Sequence, residues 1–437
     1  MPCCPAGGNG GQRADTGRAK QIHTAVTNIR DGPEQGRTSS PGASTAHSPK
    51  MDETCTPNPI LVQTRRNDIV ENSHRGVVCV VQCAVGRGDH EVLWSAGNVK
   101  QIFYPRSAMK YCQILPLLES GAANYFDFTD QEIAIMCASH EGHKVHLETV
   151  RGILRKIGCD ESMLQCGGHV PSLASAFVYC VEAGTSLYPF HEPIYNNCSG
   201  KHAGMLALCT FLKVPQDTYL EPSHPVQMLI RQAASDVFQL PLESMHIGVD
   251  GCSAPAIAMP IENAALGYAR LSLPEVYADA HRRDAVRRMA RAVGAHPEMV
   301  QGEGCFDTML MSCYRGRLIA KRGAAGAYCV SLLGQGVGFV CKLDGNDEFK
   351  YNVAMRFVQW RGVCAVNAEA QGGAERAPVS LSESSEGVEE GTTARGPVTA
   401  AVWTCPPRLQ RFVLTPNVNC RGLLVGASTV VPSVLPL

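Results

Sequence analysis

The chain has no excess charge of either sign: across 437 residues, 39 lysines and arginines stand against 40 aspartates and glutamates. That balance offers no electrostatic footing for nucleic acid or for a membrane surface. Nor is there an apolar run of the roughly 20 residues needed to span a bilayer. The suspicious tail, Gly422 to Leu437, is too short and is interrupted by Pro432 and Pro436. No N-terminal stretch has the apolar core of a secretory signal, and no internal repeat stands out. The expectation is a cytoplasmic protein with neither nucleic-acid nor membrane partners.

Cysteine, by contrast, is abundant. Twenty cysteines in a short secreted chain would mean a disulfide scaffold, but here they are diluted and irregularly placed. They read as reduced thiols, most of them small core residues. A hydrophobic content of 45% allows a sizeable core.

Residues 1–58 are rich in Gly, Ser, Thr, Pro and charge without apolar periodicity, and are expected to be a disordered extension. A catalytic domain is expected over 59–360, a low-complexity insertion or linker over 361–407, and a closing strand over 408–437. Within the domain, Val77 to Val85 and Val92 to Ser95 read as strands joined at Gly86-Arg-Gly-Asp89. Pro105 opens a helix running to Gly121, and Thr129 caps another toward Ser139. Helices follow over 146–157, 201–212, 225–238 and 275–293. Arg317 to Lys321, Tyr328 to Leu333 and Val337 to Leu343 are β-rich and separated by glycines, an antiparallel meander. Strands first, helices in the middle and strands last give an α+β fold.

The chemistry-bearing signal is Ser107-Ala-Met-Lys110, followed by Ser139 and by Lys321-Arg-Gly323. A serine and a lysine three apart share a helix face, so the amine can reach the hydroxyl. Burial lowers a lysine's pKa and makes it the base that a serine nucleophile needs. The order Ser-x-x-Lys, Ser, Lys-x-Gly resembles that of the serine β-lactamase and penicillin-binding class, although Ser139-His140-Glu141 lacks the asparagine of the middle element. Lys321 is expected on a sheet strand facing the helix of Ser107.

Asn196-Asn-Cys-Ser-Gly-Lys-His-Ala-Gly-Met205 is the most distinctive run. Tyr195 and His202 exclude a phosphate loop there. The run resembles the signature of the type II, Rhizobium-type L-asparaginases. Further matches come in order at Glu71–Gly76, Tyr104–Lys110, Glu119–Ala123, Cys137–Gly142, Cys166–His169, His224–Gln227, Asp250–Pro255, Asp307-Thr308 and Lys321, with a closing strand near Pro416–Gly426. The resemblance implies a serine β-lactamase- and glutaminase-like fold, an antiparallel sheet packed against a helical region. It also implies hydrolysis of L-asparagine to L-aspartate and ammonia, with Ser107 as nucleophile beside Lys110, and Ser139 with Lys321 as the second half of a relay. It further implies a zinc ion held by Cys198, Lys201 and Cys252 in a supporting role. From spacing alone, two buried free thiols are the favoured reading of that pair, because a lysine must be neutral to bind zinc.

Arg75 and Asp250 are candidate binders of the substrate's α-groups, with structural ion pairs as the equal alternative. The substrate is expected to be a small molecule, and a homodimer is left open. His140, His143 and His146 have the wrong spacing for a helical zinc motif and read as surface or helix-end histidines. Arg282, Arg283, Arg287, Arg288 and Arg291 read as a solvated basic face. Two departures from the resemblance stand out: Ala325 replaces a glutamate, and the stretch after Leu343 does not follow the expected closing helix. Competing readings are a glutaminase or other serine acyl hydrolase, a zinc-dependent hydrolase, and a catalytically silent ligand-binding descendant.

Overall fold

The computed structural model describes residues 56–170, 191–345, 348–364, 405–413, 415–418, 424–431 and 435. Its strands are β1 (Ile60–Arg66), β2 (Ile69–Cys83), β3 (His90–Ala96), β4 (Ile102–Phe103), β5 (His246–Val249), β6 (Pro255–Pro260), β7 (Leu318–Arg322), β8 (Ala327–Leu332), β9 (Val337–Leu343), β10 (Thr415–Val418) and β11 (Leu424–Val430). The main sheet runs β10-β11-β1-β2-β9-β8-β7, with β3 also on β2, and its pairings are all antiparallel. A small sheet, β4-β6-β5, stands beside it. With helices gathered beside this sheet, the architecture is α+β, as the order of elements implied.

Alternation explains where the layers lie. Gly338 approaches the Ile261–Ser272 helix so closely that a Cβ there would sit 2.1 Å from Ala265 O. The next residue, Phe339, points to the opposite face and stacks on Phe357 of the Lys350–Trp360 helix, ring centroids 4.5 Å apart. One helix therefore covers each face of the sheet. That explains why Gly76–Cys83 and β8 are buried almost without polar interruption.

The Lys350–Trp360 helix corrects the expectation that no closing helix follows Leu343. Its aromatic and β-branched residues weaken the local helix signal, and packing on the sheet supplies what propensity lacks. The tail also differs from a single closing strand: a short helical turn, Gln410–Val413, precedes β10 and β11, and it is β11 that pairs with β1. Of the expected N-terminal extension, residues 1–55 lie outside the described residues. Residues 56–58 are part of the fold, since Asn58 O accepts from Arg75 and its Nδ2 donates to Gln101 and Asp344. Most of the 361–407 segment, residues 365–404, is likewise outside the described residues.

In the helical region, Asp130–Met136 opens on a capping box between Thr129 and Glu132, at the predicted position. The helix from Pro105 is broken into a 3-10 turn (Arg106–Met109) and two short α-helices, Lys110–Gln113 and Leu115–Glu119. The arginine-rich helix begins at Ala280, capped by Asp279, rather than at 275. Its face is not simply solvated. Arg282 is buried, with Nε donating to Glu119 and Nη1 to Asp236 at 2.8 Å, while Arg287, Arg288 and Arg291 each bond a side-chain oxygen. Every described cysteine is a free thiol and most are buried. No helix among the described residues is long and apolar enough to cross a membrane.

Candidate active site

Two glycines let the site form. A Cβ at Gly323, at the end of β7, would lie 2.4 Å from Pro105 O. Only glycine lets the edge strand meet the turn that carries Ser107. A Cβ at Gly200 would lie 2.2 Å from Ile135 O, so glycine also lets the Ser199–Leu212 helix press against the Asp130–Met136 helix. Strand, turn and both helices thus converge on one point.

That point is Ser139, three residues beyond its helix and pinned by its N–H donating to Val300 O at 2.8 Å. Lys321 Nζ donates to Ser139 Oγ at 2.8 Å, and Lys110 Nζ donates to the same oxygen at 3.2 Å. Lys110 also donates to Ala138 O and Asn197 O. All three side chains are buried. Here the structure corrects the expected pairing: no hydrogen bond joins Ser107 to Lys110, because the amine is turned to Ser139. Ser107 stands instead at the mouth, lining an open cleft of about 400 Å³ with Ser139, Glu141, Asn197, Arg322, Ala324 and Lys350.

Burial pushes the Lys321 pKa down to about 7; Asp307, with a carboxylate oxygen 3.9 Å away, opposes the fall, while Lys110 and Arg322 add to it. Burial likewise lowers Lys110, partly offset by Cys198. His140, at the cleft wall, is kept neutral chiefly by burial, and its ring shares a hydrogen bond with Ser199 Oγ at 2.9 Å. His140 and His146 are buried, not surface residues, and His146 binds Glu298 O and helps cap its helix.

The backbone before Ser107 is strained. Arg106 has φ +54, a left-handed conformation that costs a non-glycine residue roughly 1–2 kcal/mol. Asp250 holds it there, accepting from Arg106 Nε at 2.8 Å. Asp250 is therefore engaged in an ion pair, the alternative weighed for it, and it does not line the cleft. Arg75 is also away from the cleft, on β2 with its guanidinium on Asn58 O. Neither candidate substrate binder joins the site. Arg322, Glu141, Asn197 and Lys350, to which sequence reasoning gave no role, do.

Cys198, Lys201 and Cys252 are brought together and buried. Lys201 Nζ donates to Cys252 Sγ at 3.1 Å. Cys198 Sγ donates to Asn197 Oδ1 at 3.0 Å; Cys252, Lys110 and Lys201 pull Cys198 well below the usual thiol range against burial, while Cys198 and burial push Cys252 up. Burial disfavours the Lys201 ammonium, but Cys198 and Cys252 outweigh it and raise its pKa. His202 turns away and bonds Tyr219. Among the described residues no group of three or more His, Cys, Asp or Glu side chains is placed to hold a metal; these two thiols are completed by an amine.

A buried serine between two lysines, below an open polar cleft, is the equipment of a hydrolase. The sequence pattern of the family described as L-asparaginase II matches residues 62–391. The chain belongs to the L-asparaginase II family, and is thereby a hydrolase with a small-molecule substrate. No curated protein matches it. Solved structures that align with it include a class C beta lactamase from Rhodobacter sphaeroides, at 13% identity and TM-score 0.32 over 64% of this chain and 93% of that one. Another is Mglu in its glutamate form, at 12% identity and TM-score 0.28 over 67% and 61%. The α+β assignment rests on the sheet and helices themselves.

Proposed function

We propose that the chain hydrolyses L-asparagine to L-aspartate and ammonia through a serine acyl-enzyme. The observation that carries this reading is the Lys110–Ser139–Lys321 chain, opening on a cleft lined by Ser107, in a member of this family. Ser107 Oγ attacks the side-chain amide carbon and its proton passes through the Ser139 hydroxyl to a neutral lysine of the chain. The C–N bond breaks, the leaving nitrogen takes that proton, and ammonia departs. Water then attacks the β-aspartyl ester with the same base, freeing aspartate and Ser107. For the oxyanion, the N–H of Arg322 is committed to Asp307 and that of Gly323 to Ala327 O. The next along the chain, Ala324, borders the cleft and joins the Ser107 N–H as donor.

The thiol–amine cluster suits zinc by its donor set: two sulfurs and a nitrogen, buried and in contact. Cys198, Cys252 and Lys201 would hold the ion, and when bound it would supply a fixed positive charge near the cleft. Holding it requires Lys201 and both thiols to give up their protons. A cytoplasmic setting belongs to the same proposal, supported by the free thiols.

Ala325 does not weaken the reading. It is exposed at the β7–β8 turn and does not line the cleft, so a carboxylate there would face solvent. The test is ammonia release from L-asparagine and L-glutamine, with Ser107→Ala as control. Asparagine-dependent release that vanishes in the folded variant is expected. Preference for glutamine would move the chain to a neighbouring amidase, and release from neither would indicate a silent ligand-binding member.

A further inference from the structure

We infer that Arg322 is the receptor for the substrate's α-carboxylate, and that Glu141 positions it. The inference rests on the amidohydrolase reading and supplies the recognition that Arg75 and Asp250 do not provide. Arg322 directly follows Lys321 on β7 and lines the cleft. Its Nη2 makes two hydrogen bonds, to Glu141 Oε1 at 2.7 Å and to Ser139 O at 3.2 Å. Both acceptors belong to the loop of Ser139, so the guanidinium is fixed relative to the serine–lysine chain. Among the described residues its Nη1 and Nε have no protein partner. Its side chain is 26% exposed against 6% for Glu141, so the arginine of the pair is the one open to a ligand.

Charge supports the same assignment. The cleft wall carries two cations, Arg322 and Lys350, against one carboxylate, Glu141. An excess of positive charge in a partly enclosed site favours an anionic substituent on the ligand. Distance matters as well. In asparagine the α-carboxylate is two carbons from the reacting amide carbon, so its receptor must stand beside the serines. A guanidinium bonded to the Ser139 backbone does. The substrate class is therefore a short amide with a free carboxylate, and the fixed arginine measures the spacing between the two.

The test compares L-asparagine with 3-aminopropanamide, the same molecule without its carboxylate, in the wild-type chain, Arg322→Gln and Arg322→Lys. The wild type should favour asparagine by about 100-fold in kcat/KM. Arg322→Gln should lose about that factor on asparagine, mainly in KM, and only a few-fold on 3-aminopropanamide, the share expected from relieving its effect on Lys321; Arg322→Lys should recover part. Equal losses on both substrates would reduce Arg322 to a structural role and overturn the inference. Calorimetric binding of L-aspartate to the folded proteins separates the two readings. If the wild type releases no ammonia, the amidohydrolase reading fails, and the receptor stands or falls on whether Arg322→Gln weakens aspartate binding about 100-fold.

Discussion

Lys321 and Lys201 are both buried and both lie in the field of Lys110, yet their chemistry diverges. Lys321 has a neutral hydroxyl at hydrogen-bond distance and its carboxylate neighbour no closer than 3.9 Å, so burial dominates and the amine is poised near neutrality. Lys201 touches the Cys252 sulfur with Cys198 close by, and these two thiols outweigh burial. Burial alone does not make a base; the charge on the nearest partner decides. One lysine is equipped to move protons, the other to stay charged.

The largest effect should come from removing the first lysine. Lys321→Ala is expected to lower kcat on asparagine by about a thousandfold, a base-catalysis loss, while circular dichroism shows an intact fold. A loss under tenfold would make Lys110 the working base and erase the contrast. Next, Cys198→Ser with Cys252→Ser removes the two thiols that raise the Lys201 pKa. Zinc retention after dialysis, read by elemental mass spectrometry, should fall more than about 100-fold, beyond what loss of an outer-shell partner causes. Unchanged retention would place the metal elsewhere.

The pH profile sharpens the comparison further. Lys321 accepts a proton only when neutral, above a pKa of about 7. Hence kcat/KM should fall about tenfold per pH unit below 7 and level off above it. Asp307 holds that pKa up, so Asp307→Asn should shift the limb to lower pH. A shift to higher pH would contradict the assignment. The smallest effect belongs to a control outside both environments: Ala325 sits at φ +54, and Ala325→Gly should stabilise the fold by about 1 kcal/mol in a denaturant melt.

The meander β7–β9 and the helices at Pro225 and Thr129 were legible because glycines, a proline and a capping box mark their ends in the local sequence. The Ile261–Ser272 and Lys350–Trp360 helices were not, because packing on the sheet holds them. At the site, Ser107, Lys110, Ser139 and Lys321 stood out by motif order, and Cys198, Lys201 and Cys252 by resemblance. The Arg322–Glu141 pair left no such signal, since its members are 181 positions apart and meet only when β7 docks on the Ser139 loop. Arg282 misled for the same reason: a helix read by its own charges cannot show the buried Glu119, 163 positions away, that claims one of them.

The central claim is that Ser107, not the doubly bonded Ser139, carries the acyl group. The most direct measurement is to mix the chain with L-asparagine, quench it within a turnover, and locate the acyl adduct by peptide mass mapping. An adduct on the peptide containing Ser107, lost in Ser107→Ala and retained in part in Ser139→Ala, is the predicted result. An adduct on Ser139, or one that persists in Ser107→Ala, would contradict the account.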